Sequence, residues 1–196
     1  MITFQKIRWK NFLSTGDHWS EIDFLGNTTN LVVGTNGSGK STMLDALTFS
    51  LFNKPFRKIN KSQLVNATNE KDCVVEVEFT VNNKDYLVRR SIKPNKFDIE
   101  VNGTLLHKES DDRLNQKILE ENILKVNYKS FTQIVILGSS SFVPFMQLST
   151  SNRRDVIEDL LDIRIFSAMN TLIKEKIRTE KEKTVSYTHL TLPTKA

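Results

Sequence analysis

The stretch VVGTNGSGKST, residues 32–42, constrains the fold of this chain more than any other part of its sequence. It satisfies the pattern G-x-x-x-x-G-K-[ST] through Gly34, Gly39, Lys40 and Ser41. Glycines let the backbone curl until successive N–H groups point inward at an anion. The apolar run NLVV (30–33) predicts a short buried strand, and apolar residues at helical spacing after the loop predict a helix that stops before Pro55. This order indicates a phosphate site, because the helix N-terminus adds its dipole and unpaired donors.

Each position of the loop has an expected role in binding ATP and Mg²⁺. Lys40 should reach the β- and γ-phosphates as a point charge, Ser41 should ligate magnesium, and Thr42 can donate to the α-phosphate. Lys40 and Ser41 are therefore the candidate catalytic residues, and Ser41 is the candidate metal ligand. The candidate cofactor-binding residues are Asn36, Gly37, Ser38, Gly39, Lys40, Ser41 and Thr42.

Hydrolysis of ATP needs a further acid that holds magnesium at the end of a buried strand. The run IVIL ends in Gly138, CVVEVEF alternates instead of running apolar into an acid, and EDLLD is typical of a helix. The chain therefore contains no convincing Walker B site. The sequence predicts phosphate binding without the full machinery for cleavage.

The remaining patterns predict an α/β fold with mixed α+β character. Strands are predicted at residues 2–10 and at SEIDF (20–24), and an antiparallel meander of about four strands at 73–106. A helix is predicted at 111–126 and another buried strand, FTQIVIL, at 131–137. Together with the loop and its helix, these elements indicate that the first 152 residues form one lobe.

The last part of the chain has a different character. Apolar residues at helical spacing run from Arg153 to about Lys183, and the charge density rises toward the end. This pattern fits a helix leaving the globule for a coiled coil, or an ordinary terminal helix with a solvated end. The tail TVSYTHLTLPTKA (184–196) breaks the pattern, so we expect it to be non-native or disordered.

Composition narrows the setting in which the protein works. The net charge of +5 and pI of about 9.3 permit contact with nucleic acid but also serve solubility. The single cysteine, Cys73, excludes an internal disulfide framework, is expected in the core, and favours a reducing, cytoplasmic compartment. No apolar run approaches the roughly 20 residues that span a bilayer, so no membrane contact is expected.

Three stretches resemble the SbcC-like, structural-maintenance-of-chromosomes-like DNA-repair ATPases, a group that includes the large ATPase subunits of tailed-phage recombination endonucleases. They are GTNGSGKSTMLDALTFSLF, IRWKNFLSTGDHWSEIDF and FTQIVILGSSSFVPFMQLSTSNRRDVIEDLLDI. The second is similar to the opening of these proteins, and the third to the segment that leads into their coiled coil. The resemblance covers residues 1 to about 183.

The resemblance implies a P-loop NTPase fold, with the N-terminal lobe of an ABC-type ATPase head at 1–152 and the start of a coiled-coil helix at 153–183. It implies that a C-terminal lobe supplies the signature motif and Walker B, and that a second copy completes a head-to-head dimer around ATP. It also implies a metallophosphoesterase-type nuclease subunit and DNA as partners. On this basis the chain alone is expected to be inactive in hydrolysis.

Two positions depart from the pattern of these relatives. The Q-loop glutamine, a magnesium and water contact, should fall near Ser139, so Ser139 is a candidate metal ligand through its hydroxyl or through water. Gln133 and Gln147 are nearby but out of register. Leu13 stands where some relatives have an arginine in an N-F-R-S turn, which removes contacts from that arginine to the nucleotide.

Other polar residues leave alternatives open. The basic cluster of Lys54, Arg57, Lys58 and Lys61 is either a solvated face or a flank of the nucleotide base or DNA backbone. In the second patch, of Arg89, Arg90 and Lys93, one arginine must face inward or pair with a glutamate. His18 and His107 are isolated, which favours satisfied polar residues over metal ligands.

Two other functions compete with a nuclease-linked ATPase. A head lobe of a chromosome-scaffold (condensin-like) ATPase without a nuclease has nearly the same sequence features. A P-loop small-molecule kinase would carry an arginine-rich lid and an acidic acceptor residue near the loop, and the hairpin meander and the coil-like exit argue against it.

Overall fold

The computed structural model describes residues 2–27, 29–106, 111–136, 143–161 and 163–191, with side chains except those of Arg164 and residues 185–191. The chain divides into two compact units, Met1–Leu148 and Ser149–Ala196, each described by itself. The division expected from sequence, after residue 152, falls inside the first helix of the second unit and stays a prediction.

Six strands form one sheet in the order β2-β1-β3-β4-β5-β6, and every neighbouring pair is antiparallel. They are β1 (Ile2–Lys10), β2 (Ser20–Asp23), β3 (Cys73–Val81), β4 (Lys84–Ile92), β5 (Lys96–Val101) and β6 (Thr104–Leu105). The predicted N-terminal strands and the four-stranded meander are confirmed. Alternation of apolar and charged residues made these strands readable, because side chains alternate between the two faces of a sheet.

One face of the sheet forms the core and the other is covered by charges. Ile7, Val75, Val77, Phe79 and Val88 are fully buried on the core face, and Cys73 is buried as expected. The opposite face carries the ion pairs Lys6–Glu21, Arg8–Glu76, Arg89–Glu76 and Arg89–Glu100. Arg90 is buried while Arg89 pairs with glutamates, which confirms the prediction made for these two arginines.

The predicted helix after the glycine-rich loop is α1 (Thr42–Phe52), which contacts β1, β3 and β4. Ala46, Phe49 and Leu51 are fully buried. The helix ends where Asn53 adopts a left-handed conformation (φ 57°) and donates its N–H to Phe49 O at 2.9 Å, which is a common way to satisfy a terminal carbonyl. The end lies just before Pro55, as predicted.

The helix predicted at 111–126 is confirmed as α2 (Asp112–Lys117), which continues as a π-helical segment, Ile118–Leu124. Asp111 caps it by accepting from the Arg113 N–H at 2.9 Å. Lys125, at φ 54°, ends it in a left-handed conformation. Short 3-10 turns occupy Lys61–Leu64 and Phe145–Gln147.

The prediction of a strand at NLVV (30–33) is wrong. None of the six strands pairs with this segment, and Leu31 and Val33 are 88% and 80% exposed. An extended segment becomes a strand only when a neighbour satisfies its N–H and C=O groups. No described residue does so here.

The prediction of a buried strand at 131–137 is also wrong, because residues 131–134 belong to α3 (Tyr128–Ile134); residue 137 lies outside the described residues. Asn127 caps this helix by accepting from the Ser130 N–H at 2.9 Å. Phe131 faces the core one helical turn after Tyr128. The cap and the three-residue apolar spacing outweigh the β propensity of the IVI run.

The second unit contains two helices where one was expected, α4 (Thr150–Leu160) and α5 (Arg164–Thr191). The Ile163 N–H donates to Glu158 O at 3.0 Å, a bond that closes α4 before α5 begins. The backbone of α5 continues to Thr191, and residues 192–196 lie outside the described residues. The expectation that 184–196 is a non-native or disordered tail stays a prediction. Among the described residues, no helix has the length and hydropathy needed to cross a membrane.

Candidate functional site

The glycine-rich loop curls tightly in front of α1. Gly37 and Gly39 have φ of +86° and +93°, a region that side chains rarely adopt. A Cβ on Gly34 would lie 2.5 Å from the Ser38 hydroxyl, so any other residue at this position would force the Ser38 side chain to move. Within the described part of the chain, no hydrogen bond occupies the backbone N–H groups of Gly37, Gly39 and Lys40. These donors are available to an anion at the helix N-terminus.

The lysine of the loop is folded back on the loop itself. Lys40 Nζ donates to Gly34 O and to Thr35 O, each at 2.7 Å. Two neutral carbonyls are weaker partners for an ammonium than anionic oxygens are. Lys40 is therefore held close to the loop N–H groups and can exchange these carbonyls for a phosphate.

The two hydroxyl residues that follow differ in exposure. Ser41 is the exposed N-cap residue of α1, and its side chain makes no cap hydrogen bond, which leaves the hydroxyl for a ligand. Thr42 is buried at 3% exposure in the first turn. Ser41 therefore offers an exposed hydroxyl oxygen to a ligand, whereas the hydroxyl of Thr42 is enclosed.

A pocket of about 570 Å³ surrounds the loop. Its lining is Leu13, Ser14, Asn36, Gly37, Gly39, Lys40, Ser41, Thr42, Arg57, Ile59, Gln63, Val65 and Ala67. Of the seven residues predicted to bind the cofactor, the pocket brings together all except Ser38. This volume is in the usual range for a small-molecule site, about 300–1,000 Å³.

A turn from the start of the chain forms another side of the pocket. Leu13 has φ 55°, a conformation that is strained for a leucine. Its N–H donates to Leu64 O at 2.6 Å, and Asn66 Nδ2 donates to Leu13 O and Thr15 O at 3.2 and 3.0 Å. These bonds hold the strained turn, so Leu13 lines the pocket in a fixed position.

The pocket contains a second cation that the sequence suggested only as part of a basic cluster. Arg57 lines it and is fixed by Asp45, a fully buried carboxylate in the first turn of α1. Asp45 Oδ1 accepts from the Arg57 N–H at 2.9 Å, and Oδ2 accepts from Nε at 2.6 Å and lies 2.5 Å from Nη2. An acid among the apolar residues of a helix is a sequence signal for such a pair, but its partner twelve residues away is not.

The other members of the basic cluster lie in different surroundings. Lys54 Nζ lies 5.7 Å from the centre of the Tyr128 ring, and Lys61 Nζ lies 5.9 Å from that of Phe49. Burial, helped by the charge of Arg90, lowers the pKa of Lys61. The cluster is therefore not one continuous basic face.

The remaining candidates do not join the pocket. Ser139 and His107 lie outside the described residues. Gln133 is part of α3, with its side-chain oxygen buried, and Gln147 is exposed in a 3-10 turn. His18 is exposed in the β1–β2 connection. None of these described residues lines the pocket.

A G-x-x-x-x-G-K-S loop at the N-terminus of a helix that packs on the core face of a sheet defines the class of P-loop NTPase folds. The family model described as "AAA domain" matches residues 6–192 of the chain. The chain belongs to this family.

Three relatives agree with the resemblance seen in the sequence. The chain is 42% identical over 172 residues to Exonuclease subunit 2 of Enterobacteria phage T4, which covers 88% of this chain and 30% of that protein. It is 30% identical over 185 residues to the SbcC component of the nuclease SbcCD of Staphylococcus aureus, at 87% and 18% coverage. It is 27% identical over 179 residues to the DNA double-strand break repair Rad50 ATPase of Thermoplasma volcanium, at 88% and 19% coverage. The SbcC-like resemblance is confirmed, and the chain spans less than a third of the length of these relatives.

A solved structure shows the same fold. The Smc head domain of Pyrococcus furiosus, solved with an extended coiled coil and a bound ScpA domain, aligns with a TM-score of 0.60 and 22% identity over 97% of this chain and 49% of that one. At this identity the comparison speaks for the fold alone. The predicted P-loop, ABC-type head fold is confirmed.

Proposed function

We propose that this chain is the ATP-binding lobe of a DNA repair and recombination ATPase that works with a metal-dependent nuclease. The observation that carries the proposal is the pocket at the N-terminus of α1, where unpaired N–H groups, Lys40 and the free Ser41 hydroxyl meet. The names of the relatives support the DNA-repair setting. Because those relatives are much longer than this chain, the activity of the whole protein is part of the proposal.

The loop residues divide the binding of a triphosphate among them. The N–H groups of Gly37, Gly39 and Lys40 donate to phosphate oxygens, and Lys40 Nζ exchanges its two carbonyl partners for oxygens of the β- and γ-phosphates. The Ser41 hydroxyl fits a magnesium ion, because a hard cation prefers oxygen ligands and this oxygen has no cap bond. Bound Mg²⁺ neutralises charge that develops on the phosphates. Ser139 stays a proposed further ligand.

The rest of the pocket suits the nucleoside and the outer phosphate oxygens. Leu13, Ile59 and Val65 contribute apolar surface, and Arg57 contributes a positive charge held in place by Asp45. Rigid support of this kind lowers the entropy cost of binding a charged ligand.

We propose that cleavage of ATP requires groups outside these 196 residues. The sequence contains no convincing buried strand that runs into an acid, so the carboxylate that assists hydrolysis comes from a further lobe, and a second copy completes the site. A metallophosphoesterase-type nuclease and DNA are the proposed partners, in the cytoplasm. The words "exonuclease" and "nuclease" in the names of the phage and staphylococcal relatives favour this setting over a scaffold ATPase or a small-molecule kinase.

Titration of the chain with ATP in the presence and absence of Mg²⁺ tests the proposal. We expect binding that Mg²⁺ strengthens, with the strengthening lost in Ser41→Ala, and negligible phosphate release. Addition of the missing lobe from the full protein should restore turnover. Phosphate release by the purified chain that disappears in Lys40→Ala would show that the chain already holds a complete catalytic site.

A further inference from the structure

The C-terminal end of α1, far from the phosphate loop, is tied to two other elements by side chains. Arg90, on β4, donates from Nε to Ser50 O at 3.0 Å. Gln116, on α2, donates from Nε2 to Leu51 O at 2.9 Å. The two side chains also join each other, because Arg90 Nη2 donates to Gln116 Oε1 at 2.6 Å. We call Arg90 and Gln116 the α1 clamp.

The clamp supplies what α1 lacks in its own sequence. The last carbonyls of a helix have no partner within the helix and carry its negative dipole end. The last turn of α1 contains no basic residue, and Asn53 satisfies only Phe49 O. The next two carbonyls receive their hydrogen bonds from Arg90 and Gln116. The clamp therefore determines how this end of α1 is held.

Arg90 is an unusual residue to bury for this purpose. It is 4% exposed, its guanidinium carbon lies 3.6 Å from the centre of the Phe97 ring, and no described carboxylate forms an ion pair with it. Burial lowers the pKa of Arg90 to about 10, against the opposing charges of Asp112 and Glu120. A leucine would fill a core position without this desolvation cost. The side chain is instead aimed at a helix terminus, which indicates a role in orientation.

The two ends of α1 are mechanically connected. A helix of eleven residues is about 16 Å long and bends little, so a shift at one end moves the other. The opposite end carries the loop N–H groups, Lys40 and Ser41. Rigid elements of this kind commonly carry the effect of a residue that does not contact the ligand to the binding site.

We propose that Arg90 and Gln116 are positioning residues for nucleotide binding, which fix the axis of α1 and thereby place the phosphate loop. This inference rests on the proposed ATP site. It also links α2 to that site: a displacement of α2 that pulls Gln116 away weakens nucleotide binding, and bound nucleotide resists that displacement, because such coupling is reciprocal.

The chain offers a matched control on the same strand. Arg89 precedes Arg90 and points to the opposite face of the sheet, where it pairs with Glu76 at 2.5 Å. Arg90→Lys keeps the charge but loses the planar group that reaches Ser50 O and Gln116 together. Arg89→Lys makes the same chemical change away from α1. Gln116→Leu removes the part of the clamp that α2 contributes, which is the bonds to Leu51 O and to Arg90.

The experiment measures Mg²⁺-ATP affinity, the denaturation midpoint and amide hydrogen exchange of α1 for the 196-residue chain and each variant. We expect Arg90→Lys and Gln116→Leu to weaken binding between about 2- and 30-fold and to speed exchange in the first turn of α1. Arg89→Lys should bind as the unchanged chain does. Ile99→Val, a core change of the same sheet, supplies a variant of reduced stability with the clamp intact.

The outcomes separate the clamp from general stability. Equal affinities for Arg90→Lys, Gln116→Leu and Arg89→Lys overturn the proposal, and so does an equal loss of affinity in Ile99→Val at matched stability. If Arg90→Lys does not fold, Gln116→Leu decides. If the unchanged chain fails to bind ATP, the proposed function is wrong, and exchange in the first turn of α1 still decides whether the clamp orients the helix.

Discussion

The ion pair of Asp45 and Arg57 predicts which of its two residues matters more for stability, because the two side chains differ in exposure. The carboxylate of Asp45 is fully buried, whereas the side chain of Arg57 is 46% exposed. Removal of the carboxylate leaves a guanidinium that water can reach. Removal of the guanidinium leaves a buried carboxylate whose one remaining partner among the described residues is the Arg57 backbone N–H. We therefore expect Arg57→Met to destabilise the fold more than Asp45→Asn.

The magnitudes follow from the number of bonds lost. Asp45→Asn keeps an acceptor for the backbone N–H and loses the contacts to Nε and Nη2. Hydrogen bonds to charged groups contribute about 1.5–3 kcal/mol each, and rehydration of the guanidinium offsets part of the loss, so we expect about 2 kcal/mol. Arg57→Met leaves an unpaired buried charge and should cost about 3–5 kcal/mol. The double variant Asp45→Asn/Arg57→Met should be more stable than Arg57→Met alone.

Urea denaturation followed by circular dichroism measures all three variants in a double-mutant cycle. Glu21→Gln is the control, because it breaks the exposed Lys6–Glu21 pair and should leave the midpoint unchanged. A smaller loss in Arg57→Met than in Asp45→Asn would refute the reasoning. So would additivity of the two changes within about 0.5 kcal/mol, since that is the behaviour of independent sites.

Three further predictions concern separate parts of the first unit. Burial raises the pKa of Cys73 to about 12 from 9.0, so the unfolded chain loses the thiol proton first and the free energy of unfolding falls above pH 9. At pH 10 the loss is about 1.4 kcal/mol. The stability difference between the unchanged chain and Cys73→Ala should therefore shrink between pH 7 and 10. Gly39→Ala puts a Cβ at φ +93°, where the nearest atom is 3.6 Å away, so the cost is about 1–2 kcal/mol of backbone strain. Calorimetry should show weaker ATP binding and a melting temperature lowered by a few degrees. Asn66→Ala removes the bonds to Leu13 O and Thr15 O, and proteolysis should cut the 11–16 turn faster than in the unchanged chain.

The elements predicted correctly from sequence are those with local signals. The α1 helix follows from a glycine-rich loop, apolar spacing and a stop before Pro55, and the meander follows from alternation and the Asn-Gly step at 102–103. The strand expected at 30–33 failed because strand formation depends on a partner elsewhere, which apolarity does not reveal. The strand prediction for 131–137 failed because an IVI run suits a strand or a buried helix equally. The cap at Asn127 favoured the helix, which contains residues 131–134.

The candidate site, like the fold, was predictable from sequence only where its signals are local. The loop residues carry their chemistry in a contiguous pattern, so Lys40 and Ser41 could be proposed as site residues from the sequence alone. Asp45 could not, because its importance comes from Arg57 folding back onto the first turn of α1. Arg90 likewise acquires its meaning only from the helix end that β4 brings next to it.

The most direct test of the account is ATP binding by the chain with a single loop lysine removed. Isothermal titration with Mg²⁺-ATP should show binding that Lys40→Ala weakens by at least about tenfold, since an ammonium in contact with phosphates is worth at least about 1.4 kcal/mol. Lys58→Ala, an exposed lysine of the basic cluster, should bind as the unchanged chain does. Equal affinity in the unchanged chain and Lys40→Ala would contradict the assignment of this pocket as the nucleotide site.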